Sequence, residues 1–287
     1  MRVWLLGARP RTLAASVVPV LVGTAAAAAE GPVVAWRLAA ALLVAVALQV
    51  GVNYANDYSD ALRGADTPAR VGPLRLVGSG LASPAAVRAA AAAAFAVAAL
   101  AGLALAVAVD LRLLLVGAAA IAAAVLYTGG PRPYGYAGFG ELAVLLFFGL
   151  VATCGSAYVQ LGRVPGAALA AAVPVGLGAV AILLVNNVRD VDGDLLAGKR
   201  TLAVRLGRER ARGLFVAVVA GMFLAAALLG VARPPVLLTL AALPLAVGPV
   251  RLVRTRSDGP GLVAALGGTA RLHLVAGLLL AAGLWLS

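Results

Sequence analysis

The sequence predicts an all-α integral membrane protein of about nine transmembrane helices, and three observations predict it. Of its 287 residues, 63% are hydrophobic and the mean hydropathy is +1.03, far too apolar for a soluble domain. Apolar runs of roughly 18–22 residues recur along nearly the whole length, each about long enough to cross a ~30 Å hydrocarbon layer. The basic residues also alternate in sidedness from one connection to the next, as they do in multi-pass proteins.

Within lipid the apolar runs must be helices, because every backbone N–H and C=O has to be satisfied inside its own segment. In order, the spans are expected at 12–29, 33–56, 84–108, 111–128, 140–161, 165–188, 211–231, 234–253 and 267–286. Little polar sequence is left over, so residues 1–287 read as one membrane-embedded domain. The beginning has some signal-peptide character, Arg2 followed by an apolar run and "TAAAAAE". However, "ARPRT" interrupts that run and no exported domain follows, so the segment is expected to stay as the first span. With a cytoplasmic N-terminus and an outer C-terminus, only Arg37, Arg112, Arg163 and Arg233 of the 23 basic residues fall outside. The net charge of +12 therefore reads as topological. No basic stripe with interleaved aromatics is present, so a nucleic-acid partner is not expected. The single cysteine, Cys154, lies in an apolar span and reads as a small packing residue.

Six of the eleven acids fall in two short windows, Asp57, Asp60 and Asp66 in one and Asp190, Asp192 and Asp194 in the other. Each window stands at the inner end of an expected span. Asn56-x-x-x-Asp60 is matched by Asn186-x-x-x-Asp190, 130 residues further on. Four spans separate the two, which suggests a four-plus-four internal repeat with one extra helix. Repeat bundles bring equivalent positions to equivalent depth around a shared cavity.

Residues four apart lie on one helix face. Asn56 with Asp60, and Asp190 with Asp194, therefore each present two oxygen donors in one direction. Asp66 follows Gly64, where the chain can turn back. The donors are hard oxygens without a Cys or His cluster, which favours Mg²⁺. Mg²⁺ commonly takes one or two carboxylates and fills its octahedron with water and phosphate oxygens. Asn56, Asp60, Asp66, Asp190 and Asp194 are therefore the candidate metal ligands, and the two windows read as two metal positions gripping one diphosphate. Capping of helix ends would account for one isolated Asp, but less readily for two matched clusters at one membrane face. "DVDGDLLAGKRT" is not an EF-hand, since Leu195 and Thr201 replace its obligatory Gly and Glu.

Arg63, Arg70 and Arg75 follow the first window; Arg189, Lys199, Arg200 and Arg205 surround the second. Lys199 is the only lysine in the chain. Guanidinium groups suit bidentate phosphate recognition, whereas an ammonium acts as a mobile point charge. Arg63, Arg189, Lys199 and Arg200 are candidates for the diphosphate, while Arg208, Arg210 and Arg212 read as topology and contact with lipid headgroups. In the connection "LYTGGPRPYGYAGFGE", Tyr127 and Tyr134 are candidates to wall an aromatic site, and Tyr136 reads as an interfacial residue. Glu141 reads as a helix cap or a supporting acid. His273, placed near the inner end of the last span, reads as structural.

With these residues in view, the chain resembles the UbiA-superfamily membrane prenyltransferases over essentially its full length. The family's Asn/Asp-rich motif after the second helix stands here as Asn56, Asp60 and Asp66, and its D-x-x-x-D motif after the sixth as Asp190 and Asp194. "ARPRTLAASVVPVLVGTA", "RVGPLRLVGSGLASP", "YTGGPRPYGYAGFGE" and "NNVRDVDGDLLAGKRTLAVRLG" are similar to the branch that prenylates 1,4-dihydroxy-2-naphthoate for menaquinone synthesis. The resemblance implies a UbiA-type bundle that binds a polyprenyl diphosphate through Mg²⁺, with the prenyl tail between helices and open to membrane lipids. It implies that Lys199 and Arg200 stabilise the departing diphosphate. The naphthoate ring would then attack the allylic cation, and loss of CO₂ would give demethylmenaquinone. It implies a cytoplasmic site with Asp66 assisting deprotonation of the acceptor. Another aromatic acceptor (4-hydroxybenzoate, homogentisate or haem) is the alternative. A secondary transporter is disfavoured, because transporters set their charges near the bilayer midplane.

Overall fold

The computed structural model describes residues 2–64 and 74–287. Among them there is no strand. The helices are α1 (Arg2–Gly7), α2 (Ala14–Ala28), α3 (Ala35–Leu62), α4 (Pro84–Ala108), α5 (Leu113–Leu126), α6 (Gly140–Leu161), α7 (Gly166–Leu196), α8 (Leu202–Leu206), α9 (Arg208–Ala232), α10 (Pro234–Thr255) and α11 (Gly259–Trp285). Seven of them, α3, α4, α6, α7, α9, α10 and α11, are long and apolar enough to cross a membrane, and α2 and α5 are shorter apolar helices. The chain is a multi-pass membrane protein, and each expected span corresponds to one helix.

Three helices are longer than expected. α3 runs to Leu62 rather than 56, α7 to Leu196 rather than 188, and α11 begins at Gly259 rather than 267. Hydropathy ends where polar side chains begin, but a helix ends where the backbone must turn. The turn comes at Gly64 for α3 and at Gly198 for α7, both with positive φ that glycine adopts without steric cost. At α11 the Asp258 carboxylate accepts the Gly261 N–H at 2.9 Å, so capping sets the start. Both acidic windows therefore begin on rigid helix rather than in loops.

α2 sits inside the bundle, packed against α3, α6, α7 and α11. It approaches α6 so closely that a Cβ on Gly23 would fall 2.0 Å from the Thr153 carbonyl oxygen. Small residues allow such close packing in a solvent as apolar as the side chains themselves. α7 is the most buried of the long helices and packs on α2, α6, α9 and α11. α5 is the least buried, with Ala124 its one buried residue and Leu114, Leu115 and Val116 exposed. The middle of α6, Leu145–Val151, is a π-helix. Such wide turns re-aim side chains and concentrate at functional sites. Here the wide turn coincides with Phe147 and Phe148, both of which line the central cavity.

Candidate active site

A cavity of about 400 Å³ lies between α2, α3, α4, α5, α6 and α7. One end is polar, with Asn56, Asp60, Arg75, Asp190, Asp194 and Lys199 among its walls. The rest is mostly apolar, with Ser16, Gln49, Asn53 and Ser156 among its polar exceptions, and runs along α3 as far as Ala41 and along α6 as far as Val159. At 1.5 Å per residue, the distance from Asp60 to Ala41 is about 28 Å, close to the thickness of a hydrocarbon core.

Asp60 is the hub of the polar end and is 2% exposed. Its Oδ2 accepts from Arg75 Nη2 at 2.8 Å, and its Oδ1 accepts from Tyr136 Oη at 2.6 Å and Lys199 Nζ at 3.0 Å. The same ammonium stands 3.9 Å from Asp194 Oδ1. One cation therefore joins the end of α3 to the end of α7, and the two carboxylate oxygens lie within about 7 Å of each other. Lys199 reaches this place because its N–H bonds the Asp194 carbonyl at 2.8 Å, while the Arg200 N–H bonds the Tyr136 carbonyl at 2.8 Å. Arg189 forks onto Asp190 with both bonds at 2.7 Å, the bidentate geometry guanidinium favours.

The expected site residues divide on inspection. Asn56, Asp60, Asn186, Arg189, Asp190, Asp194, Lys199, Tyr127 and Tyr134 all line the cavity. Asn56 Oδ1 accepts from Thr128 Oγ1 at 2.8 Å, while Asn186 Nδ2 bonds back to its own helix at Ile182 O. The Tyr134 hydroxyl is engaged by Ala123 O at 2.9 Å and its ring meets Tyr127 edge-on at 5.5 Å. Arg63 and Arg200 are exposed and not among the cavity walls; Arg63 instead bonds Gly130 O and lies 5.4 Å from the Tyr136 ring centroid. Asp66 and Arg70 fall outside the described residues. His273 sits mid-way along α11 rather than near the inner end of the span, buried where a Cβ on Gly178 would meet its Nδ1 at 2.2 Å.

Sequence reading underrated Tyr136. Its hydroxyl holds Asp60, and Lys199 Nζ lies 4.6 Å from its ring centroid, within cation–π range. Burial, followed by the neighbouring Asp60 carboxylate, pushes the Tyr136 phenol well above the usual tyrosine range, so it stays a donor. Nothing in "PRPYGYAGFG" separates this tyrosine from interfacial ones; only its contact with α3 does. Arg75 was likewise one arginine among several at the inner face. Asn187 also lines the cavity, oriented by Glu141 Oε1 at 2.8 Å.

Asp57 shares the first window but has a different task. Its carboxylate accepts the Leu76 N–H at 2.6 Å and the Val77 N–H at 3.0 Å. This pins the segment that carries Arg75, and Leu76 is fully buried against Gly7 and Tyr54. Asp57→Ala should therefore lower stability by about 3 kcal/mol through two lost charge-assisted bonds. Thermal unfolding in detergent measures this, and an unchanged midpoint would contradict the anchoring role.

The polar end suits a hard divalent cation. Its donors are carboxylate and amide oxygens, and among the described residues no three His, Cys, Asp or Glu side chains stand together as a complete cage. Few protein carboxylates plus ligand oxygens is the pattern of Mg²⁺ rather than of zinc or calcium. Lys199, held between two carboxylates, shows that positive charge is already accommodated there.

The sequence profile of the UbiA prenyltransferase family matches residues 16–275. The chain belongs to the UbiA prenyltransferase family. It is 49% identical over 281 residues to the 1,4-dihydroxy-2-naphthoate octaprenyltransferase of Mycobacterium tuberculosis (strain ATCC 25618 / H37Rv), covering 98% of this chain and 96% of that protein. It is 38% identical over 296 residues to the protein of the same name from Escherichia coli (strain K12), covering 99% and 95%. Its fold matches a UbiA homolog from Archaeoglobus fulgidus bound to GPP and Mg²⁺, with a TM-score of 0.66, 16% identity and coverage of 97% and 99%. As a UbiA-family member the chain is a membrane prenyltransferase.

Proposed function

We propose that the protein transfers a polyprenyl group from its diphosphate to 1,4-dihydroxy-2-naphthoate, with Mg²⁺ and with loss of CO₂. The observation that carries this reading is Lys199, bridging Asp60 and Asp194 above an apolar cavity that extends nearly the thickness of a bilayer. Curated relatives in the family that cover nearly the whole chain act on this naphthoate by name, which supports the acceptor. The homolog bound to GPP and Mg²⁺ supports the donor class and the metal.

In this reading Asn56 and Asp60 would hold one metal position and Asp190 and Asp194 a second, with Asp66 a further candidate. Bound there, Mg²⁺ would neutralise charge on the diphosphate as it departs. Lys199 and Arg75 supply fixed positive charge at the same place, and Arg189 holds Asp190 in position. Arg63 and Arg200, exposed and outside the cavity walls, would meet the diphosphate before it enters. The allylic C–O bond breaks and its electron pair leaves with diphosphate. The ring carbon bearing the carboxylate forms the new C–C bond, and CO₂ departs leaving its electron pair to the ring. The product is the prenylated naphthalenediol, the reduced (hydroquinone) form of demethylmenaquinone. That carbon carries no proton, so a carboxylate base such as Asp66 would act only on a phenolic O–H. Tyr127 and Tyr134 offer ring faces to the cation or the acceptor. The polar end faces the cytoplasm, consistent with the basic residues around it.

Purified protein given radiolabelled prenyl diphosphate with each candidate acceptor tests the reading. Label should pass to the naphthoate, and should stop when EDTA removes the metal. Transfer to 4-hydroxybenzoate or homogentisate instead, or full activity in EDTA, would overturn it.

The apolar walls make a second expectation. Gly117 on α5 lines the cavity, and a Cβ there would meet nothing within 4 Å. Gly117→Phe should fill the tail's path, cutting turnover of long polyprenyl donors roughly tenfold or more while geranyl diphosphate is spared. Equal loss with short and long donors would argue against a tail at this wall.

A further inference from the structure

Away from the cavity, a groove between the start of α9 and the end of α10 is lined by Glu209, Arg212, Gly213, Val216 and Arg254. Arg212 is 8% exposed although it carries a full charge. Its Nη1 donates to Glu209 at 2.6 Å, and its Nη2 donates to Arg256 O at 2.6 Å and Ser257 Oγ at 2.8 Å. Among the described residues its buried Nε has no partner. Arg254 is exposed and, among the described residues, pairs with no carboxylate. Glu209 is the one acid in the groove wall, so the charge balance is positive. Gly213 leaves open space, with nothing within 4 Å of where a Cβ would stand.

Below the cations the surface turns apolar. Val216 begins a ridge at four-residue spacing that continues through Ala220 to Leu224 and Leu228, the last two exposed; Val247 and Leu243 are exposed on α10. Charge at one level with greasy ridges descending from it matches an amphiphile rather than a soluble ion. We propose that this groove binds an anionic phospholipid of the inner leaflet. Its phosphate would lie on Arg254, with the charge of the buried Arg212 guanidinium behind it, and its acyl chains along the α9 and α10 ridges. The three contacts of Arg212 already tie the α10–α11 turn to α9, so an occupant would brace the half of the bundle carrying α7. Basic residues at a membrane surface attract anionic headgroups in just this region.

The test is lipid binding to the detergent-purified full chain by native mass spectrometry, with phosphatidylglycerol, phosphatidylcholine and inorganic phosphate as probes. Phosphatidylglycerol should bind at least about fivefold tighter than phosphatidylcholine. Arg254→Ala should weaken it about fivefold, and Gly213→Trp should exclude it while keeping both cations. Thermal unfolding confirms that both variants are folded; a Cβ on Gly213 meets nothing within 4 Å. Equal affinity for the two lipids, unchanged binding in both variants, or displacement by millimolar inorganic phosphate would overturn the proposal.

Discussion

Asp60→Asn is expected to lower prenyl transfer by on the order of 10³-fold, the largest effect of any single substitution in this protein. Three groups converge on this carboxylate: Arg75, Lys199 and Tyr136. In the proposed mechanism it is also the α3 carboxylate that holds the metal, beside the Asn56 amide, and asparagine keeps its shape without its charge. The loss should be in activity more than in folding. Arg75 and Lys199 keep about a tenth of their side-chain surface accessible, so leaving them without this counter-charge costs about 2 kcal/mol, less than in a sealed core. Turnover measured beside thermal unfolding separates the two effects. A variant that retains a tenth of its activity would show that the α3 carboxylate is not a metal ligand.

Lys199→Ala is expected to lower kcat about 10²-fold, with an opposite effect on the metal. The ammonium offsets charge that grows on the leaving diphosphate, so kcat and kcat/KM should fall together. Yet the same ammonium lies 3.0 Å from Asp60 and 3.9 Å from Asp194. Removing it frees two acids that a divalent cation would otherwise share with it. The Mg²⁺ concentration giving half-maximal rate should therefore drop even as the rate falls. Lys199→Arg should restore little, because a planar fork cannot sit as a point charge between two carboxylates. A rise in the Mg²⁺ requirement would sink this account.

Asp57 and Asp60, three residues apart on one helix, show where sequence reasoning stopped. Both belong to an acid-rich window that composition alone marks as unusual. Asp57 serves the backbone of residues 76–77 and Asp60 serves the cavity. The difference lies in what a segment about twenty residues downstream does, which no local pattern encodes. Tyr136 and Tyr134 make the same point. They stand two residues apart in one Pro/Gly-rich connection, yet one holds Asp60 and the other bonds Ala123 O on α5. Arg200 follows Lys199 directly and is nonetheless exposed, away from the cavity wall.

By itself the sequence determined the helical class, the number and order of the apolar segments, and the pairing of two oxygen-rich windows. These follow from solvation, which acts on each segment separately: lipid excludes unsatisfied backbone, and acids are too costly there to stand without purpose. Only the tertiary structure decided that a single ammonium joins the ends of α3 and α7, and which arginine and tyrosine face inward. Those outcomes depend on contacts between residues tens to more than a hundred positions apart, and such contacts exist only once the helices have packed.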